Sequence, residues 1–210
     1  MAKLSRVVGR TKSGTTLVVG FVLASILGLR PSQAAAIEAN EGDAGISTAQ
    51  IPEDGSDIAG GRAVLIVDKP IEEVLPIVLD YANYVEFMPH FTKSKVLAQR
   101  GSRALVYMEV SLARGMYTLY GQLDLAERPR DGESRVVEGR LRDGNIDAFN
   151  ATFRLTPVDG GTHTEIDFRI YVDPDLPLPS SVFSRENERA AGHAVRALRS
   201  RIVATPGGSV

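Results

Sequence analysis

Between Ala104 and Val172 the chain places apolar residues at every second position, again and again, and breaks the pattern with short turns. Ala104, Val106, Met108, Val110 and Leu112 alternate with Leu105, Tyr107, Glu109 and Ser111. Tyr117, Leu119, Gly121, Leu123 and Leu125 alternate with Thr118, Tyr120, Gln122 and Asp124. Phe149, Ala151, Phe153 and Leu155, then Ile166, Phe168, Ile170 and Val172, do the same on either side of Asp159-Gly160-Gly161. A period of two lines up one face of a β-strand. Thr92–Gln99 and Arg135–Leu141 complete the run, with turns at Arg100-Gly101-Ser102-Arg103, Pro129-Arg130-Asp131-Gly132 and Arg142-Asp143-Gly144-Asn145. Strands joined this tightly must be antiparallel, because a parallel crossover takes roughly a dozen residues or more. Their alternation predicts one covered face and one wet face.

A long apolar element must cover that face, and residues 180–204 are the candidate. Pro174, Pro177 and Pro179 keep helix from starting earlier. Val182, Phe183, Ala190, Ala194, Leu198 and Ile202 then form a stripe at helical spacing, while Arg185, Glu188, Arg189, Arg196 and Arg199 mostly occupy other faces. Ala190, Ala191, Ala194 and Ala197 point to close approach of helix and sheet; space left for a guest is the other reading of the same residues.

At the other end of the domain, Ala63–Val67 reads as a strand, followed at once by Asp68-Lys69-Pro70 and a helical pattern of Val74, Ile77, Val78 and Tyr81. Pro70 suits a first helical position, and Glu72 and Glu73 complement the helix dipole. Pro76 inside the pattern predicts a short or kinked helix. A second start at Asp80-Tyr81-Ala82-Asn83-Tyr84 ends at Phe87-Met88-Pro89. This strand, helix, D-Y-x-N-Y and F-x-P order resembles the START-like superfamily, in particular its polyketide cyclase/dehydrase, lipid-transport and coenzyme Q-binding members. The resemblance covers residues 61–204. It implies an α+β helix-grip fold: a curved antiparallel sheet wrapped around a long C-terminal helix, with two short helices after the first strand that flank the mouth of an apolar cavity.

Charge is unevenly spread. Five of the 24 basic residues and none of the 26 acidic ones lie within residues 1–36, so the rest of the chain is more acidic than the net −2 conveys. An acidic domain with no basic run argues against nucleic acid as a partner. The N-terminal bias has its own explanation. Lys3, Arg6, Arg10 and Lys12 precede an apolar run from Leu17 to Leu29, and Ser32-Gln33-Ala34-Ala35-Ala36 follows, the layout of a secretory signal peptide cleaved after Ala34 or Ala36. Residues 1–36 are therefore expected to direct export to a periplasm or the exterior. Retention as a membrane anchor is the alternative, against which the run is short of the roughly 20 residues a span needs. The chain has no cysteine, so neither lipid attachment at a signal cleavage site nor disulfides are available. Residues 37–60 read as a flexible linker, rich in Ala, Gly, Asp, Glu and Ser, and residues 205–210 as a disordered tail.

No constellation announces catalysis. His90, His163 and His193 share no metal-like spacing, there is no G-x-S-x-G elbow, and no cofactor is expected. His163 is expected in solvent beside Glu165 and Asp167, and His193 as a partly buried structural residue of the last helix. His90, between Pro89 and Phe91, has the best claim to function because it follows the entrance helices. Glu109, Asp124, Glu165 and Asp167 fall in the polar phase of their strands and are expected to be solvated. The candidate ligand-binding residues are the apolar lining: Met88, Phe91, Met108, Val110, Leu119, Leu123, Phe153, Phe168, Ile170 and Phe183. They describe either a filled core or a pocket. The resemblance implies a binding or transport module for a hydrophobic small molecule (a lipid, isoprenoid or quinone) with transient membrane contact. Two alternatives stand beside it: a cyclase/dehydratase-like enzyme, for which Tyr107, Glu109 and His90 would have to face inward together, and an interaction domain with a filled core.

Overall fold

The computed structural model describes residues 45–112, 115–128, 132–174 and 176–205. The expected export signal, the first part of the linker, Pro129–Asp131 and the last five residues lie outside the described residues. The described elements run β1 (Ser47–Ile51), β2 (Gly60–Val67), α1 (Ile71–Val78), a 3-10 turn (Tyr81–Asn83), α2 (Tyr84–Phe87), β3 (Phe91–Arg100), β4 (Arg103–Leu112), β5 (Tyr117–Glu127), β6 (Arg135–Gly144), β7 (Ile146–Val158), β8 (His163–Pro174) and α3 (Ser180–Ala204). The strands form one sheet in the order β1-β2-β8-β7-β6-β5-β4-β3, antiparallel at each pairing. Six consecutive strands make the meander that the turns require. β8 then closes against β2. This is the helix-grip architecture.

The first strand corrects the expected linker. Ser47–Ile51 pairs along β2, from Ser47 opposite Val64 to Ile51 opposite Gly60, and Ile46 just before it is buried. An edge strand of this kind is held by backbone pairing and by polar contacts. Thr48 Oγ1 and Gln50 Nε2 each donate to the Glu188 carboxylate on α3, at 3.1 and 3.0 Å. The folded unit therefore begins before Gly61, and the two short helices follow the second strand.

Pro70 sits one position before the helix, as its cap, with its carbonyl accepting from Glu73 and Val74. Helix α1 is only eight residues long and contains Pro76. Asn83 Nδ2 donates to Asp80 Oδ1 at 2.9 Å, pinning the turn that leads into α2.

Helix α3 starts where the prolines release it. Its buried face is Phe183, Ser184, Asn187, Ala191, Gly192, Val195, Leu198 and Ile202, rotated slightly from the expected stripe. Val182 is exposed, and Ala190 and Ala194 flank the seam. The closest approach to the sheet occurs at Gly61, where any added methyl group would overlap the Asn187 carbonyl. Asn187 Nδ2 donates to the carbonyls of Ala59 and Val172 while its Oδ1 accepts from Val172 N. A buried amide is thus satisfied by three backbone groups. Leu65, Leu155, Ile166, Leu198 and Ile202 are the largest fully buried side chains.

Candidate ligand-binding site

Cross-strand register brings most of the expected lining onto one surface. Phe91 lies opposite Val110, which lies opposite Leu119, while Met108 faces Gly121 and Val106 faces Leu123. On the far side Phe153 pairs with Phe168 and Ala151 with Ile170. The Phe153 and Phe168 rings stack with centroids 4.0 Å apart. Met88 is buried at the end of α2. Phe183 does not join them. It packs in a separate cluster with Ile58 and Tyr171.

Burial along this surface is graded. On β4, Ala104, Val106 and Met108 are buried, whereas Val110 and Leu112 are half-buried; on β5, Leu125, Leu123 and Gly121 are buried and Leu119 is half-buried. Val137 and Gly139 give way to Leu141 on β6, Leu155 and Phe153 to Ala151 and Phe149 on β7, and Ile166 and Phe168 to Ile170 and Val172 on β8. The register puts all five transitions at the same end of the sheet. Apolar side chains continue toward that end while their burial falls, with Leu141, Phe149, Ala151 and Ile170 still packed against the core.

A groove of approximately 540 Å³ opens beside that end, between the α2–β3 loop and the C-terminal half of α3. Phe87, Pro89 and His90 form one wall; His193, Arg196, Ala197, Ser200, Arg201 and Ala204 form the other. Arg201 Nη2 contacts Glu86 Oε2 at 3.1 Å, and its guanidinium lies 5.4 Å from the Phe87 ring centre. The imidazoles of His90 and His193 approach to 6.3 Å between ring centres. His193 stands at the groove edge with its ring only partly shielded, and is not packed in the core. Partial burial, then Arg196, His90 and Arg189, push its pKa down against the opposing pull of Glu186. His90 is exposed and holds a left-handed backbone with φ of 67°, an uncommon state for a residue with a Cβ. Its carbonyl accepts from Ser111 N at 2.8 Å, tying the loop to the end of β4. The sequence drew attention to His90 but not to Arg196, Ser200 or Arg201, whose i, i+4 and i+5 spacing from one another and position after His193 was the available signal. A second, smaller hollow of approximately 360 Å³ lies at Tyr117, Leu119, Asn145, Ile146 and Leu176.

The polar groups that could have served catalysis are arranged otherwise. Tyr107 is opposite Lys95 and Gln122, out of phase with Val106 and Met108, so it points to the outer face. Its hydroxyl donates to Glu109 Oε1 at 2.6 Å, and Lys93 Nζ donates to the same oxygen at 2.9 Å. The hydrogen bond to Glu109 pushes the Tyr107 pKa to about 12, and Lys93 followed by Tyr107 holds Glu109 below its ordinary value. These two therefore do not meet His90 on the inner surface.

Asp167 corrects the expectation of a solvated carboxylate. It is 7% exposed and accepts from Arg62 Nε and Nη2, each at 2.9 Å, with Arg169 Nη2 at 3.4 Å. Alternation assigned it correctly to the outer face, but long guanidinium side chains from β2 and β8 cover it there. Burial opposes its ionisation; the hydrogen bonds and charge of Arg62, with help from Arg169, outweigh that and keep its pKa low. His163 is half-buried, between Asp68 at 3.4 Å and Asp159 at 3.7 Å. Among the described residues no three acidic or histidine side chains gather as a metal site, and no helix is long and apolar enough to cross a membrane.

The family described as polyketide cyclase / dehydrase and lipid transport matches residues 67–199. Among solved structures, a STAR-related lipid transfer protein fragment from Xanthomonas axonopodis is similar, with 16% identity and a TM-score of 0.67 over 77% of this chain and 95% of that one. Human StAR-related lipid transfer protein 5 follows at 13% identity and a TM-score of 0.61, covering 77% and 83%. The Zhui aromatase/cyclase of a Streptomyces species gives 15% identity and 0.54, covering 71% and 97%. Identities this low speak for the fold alone. No curated protein sequence matches the chain.

Proposed function

We propose that this chain, which belongs to the polyketide cyclase / dehydrase and lipid transport family, binds a hydrophobic small molecule between its curved sheet and α3. The graded burial of the inner surface carries the reading. Val110, Leu119, Leu141, Phe149 and Ile170 are apolar and half-buried toward one end of the sheet, and at the β3–β4 edge this end adjoins a groove with Phe87 and Pro89 in one wall. Apolar area left wet costs roughly 25 cal/mol per Å² against the same area covered. A lipid, isoprenoid or quinone lying on these side chains would recover that free energy, less the cost of ordering the guest. Transient contact with a membrane would deliver such a guest. The N-terminal pattern supports export, with a periplasmic or extracellular site of action, or retention on the membrane through the same segment.

The aromatase/cyclase likeness keeps an enzymatic reading in view. The outward position of Tyr107 and Glu109 favours binding over it, because an acid–base pair has to reach the substrate.

Native mass spectrometry of the protein purified from its own envelope, followed by organic extraction, tests the binding reading. The expected result is one hydrophobic molecule per chain. A mass that is free of guest, and remains so after challenge with lipids and quinones, overturns it.

A further inference from the structure

Within the groove the chemistry changes from apolar to cationic over a short distance. Its lining holds two guanidinium groups, Arg196 and Arg201, and two imidazoles, His90 and His193, with no carboxylate among them. Glu86 meets Arg201 from the rim. Phe87, Pro89 and Ala197 supply the apolar floor. His90 is followed directly by Phe91, which lies opposite Val110 at the half-buried end of the sheet. One chain segment thus joins the charged groove to the apolar surface. A molecule spanning both needs a compact anionic end and a single hydrocarbon tail.

We propose that the groove receives the anionic head of a single-chain amphiphile, a carboxylate or a phosphate monoester, whose tail lies along the Phe91–Val110 band. This rests on the hydrophobic-guest reading and narrows it. The strained left-handed backbone of His90 fits the same assignment: the loop holds a side chain, rather than a glycine, where a glycine would sit more easily. The groups that face His193 are Glu186, Arg189 and Arg196 on its own helix and His90 from the opposite wall, with the Glu86–Arg201 pair beyond them. Three of those groups and its burial disfavour its charged form. A bound anion favours that form, so binding takes up a proton and tightens as pH falls through and below the ordinary histidine range near 6.5.

The test is titration calorimetry of the protein with oleate, oleyl phosphate and oleyl alcohol, each below its micelle-forming concentration, from pH 5.5 to 8. The His193 ring is followed by NMR, which three histidines in the chain make tractable. The expected result is at least tenfold tighter binding of one or both anions than of the alcohol at pH 6. The histidine pKa should rise on saturation, and Arg201→Gln and His193→Gln should each erase most of the preference without weakening the alcohol. The anion favoured identifies the head. Equal binding of all three ligands overturns the proposal while leaving the hydrophobic-guest reading intact, as does an anion preference that both variants keep. Failure of every ligand to bind overturns the two together.

Discussion

The two halves of the interface between α3 and the sheet are built on opposite plans. Near its N-terminus the helix is pressed onto β1, β2 and β8. Its backbone touches Gly61, Asn187 is bonded to three backbone groups, and Ala191 and Gly192 let the surfaces meet. Toward its C-terminus only one face of the helix is packed: Val195, Leu198 and Ile202 are buried, whereas His193, Arg196, Ala197 and Ser200 border an open groove opposite Phe87, Pro89 and His90. Small residues therefore mean two things on one helix: Ala191 is small because the sheet is close, whereas Ala197 is small beside a space. The contrast is between a half closed by backbone contact and a half packed on one face and open on the other.

Breaking the closed half should have the largest effect. Gly61→Val places a branched side chain into the Asn187 carbonyl and the Glu188 amide, which are backbone and cannot rotate away. The expected loss is more than about 4 kcal/mol, read by urea denaturation, or a chain that does not fold. A loss below about 1 kcal/mol would show that the helix can shift on the sheet, and that the two halves are not distinct.

A matched pair of truncations sharpens the comparison. Leu155→Ala removes a fully buried side chain and should cost about 3 kcal/mol. Leu119→Ala removes a half-buried one from the open end and should cost about 1 kcal/mol or less in the guest-free protein. The two should reverse in ligand affinity, with Leu119→Ala weakening a hydrophobic guest and Leu155→Ala leaving it nearly unchanged at temperatures where the variant stays folded. Equal costs in both assays would mean that the open end is simply core.

How far the sequence revealed these halves depends on what holds each element. Strands β4, β5, β7 and β8 were legible because Met108, Leu123, Phe153 and Phe168 repeat with period two beside polar partners. Helix α3 was legible because three prolines and an apolar stripe bound it. Strand β1 was not, since Ser47–Ile51 is held by backbone pairing and by Glu188, neither of which leaves a hydrophobic pattern. Phase placed Val110 and Leu119 on the inner surface, where the register pairs them. It could not show that burial fades along them, because that depends on where a helix distant in sequence crosses. Arg196 read only as part of the other helix faces, and Arg201 drew no reading, for the same reason: the loop of Pro89 and His90 that makes a wall opposite them is far away in the chain.

Asp167 offers a pH-dependent test on the closed side. Its folded-state pKa lies below the unfolded value of 3.8, so its ion pair stabilises the protein above that pH and is lost as pH falls further. Asp167→Asn should cost about 1–2 kcal/mol at pH 7. That is less than removing one partner of a fully buried pair, because the Arg62 side chain is 31% exposed. The deficit relative to the parent protein should shrink below pH 4, as measured by denaturant midpoints across pH. A deficit unchanged at pH 3 would assign the effect to packing rather than charge.

The smallest expected effect separates stability from function most directly. His90 carries a positive φ that glycine adopts without a steric penalty, so His90→Gly should raise stability by about 0.5–1 kcal/mol. Loop flexibility in the unfolded chain works against this gain, which sets its modest size. The same substitution removes one imidazole from the groove and should lower affinity for an anionic amphiphile several-fold. His90→Asn, whose side chain also tolerates the left-handed region, should keep the parent stability and share the loss of affinity. A His90→Gly variant that is both more stable and equally good at binding would show that the strain is incidental to the site. One that is less stable would show that the ring packs against the loop in a way that outweighs its backbone cost.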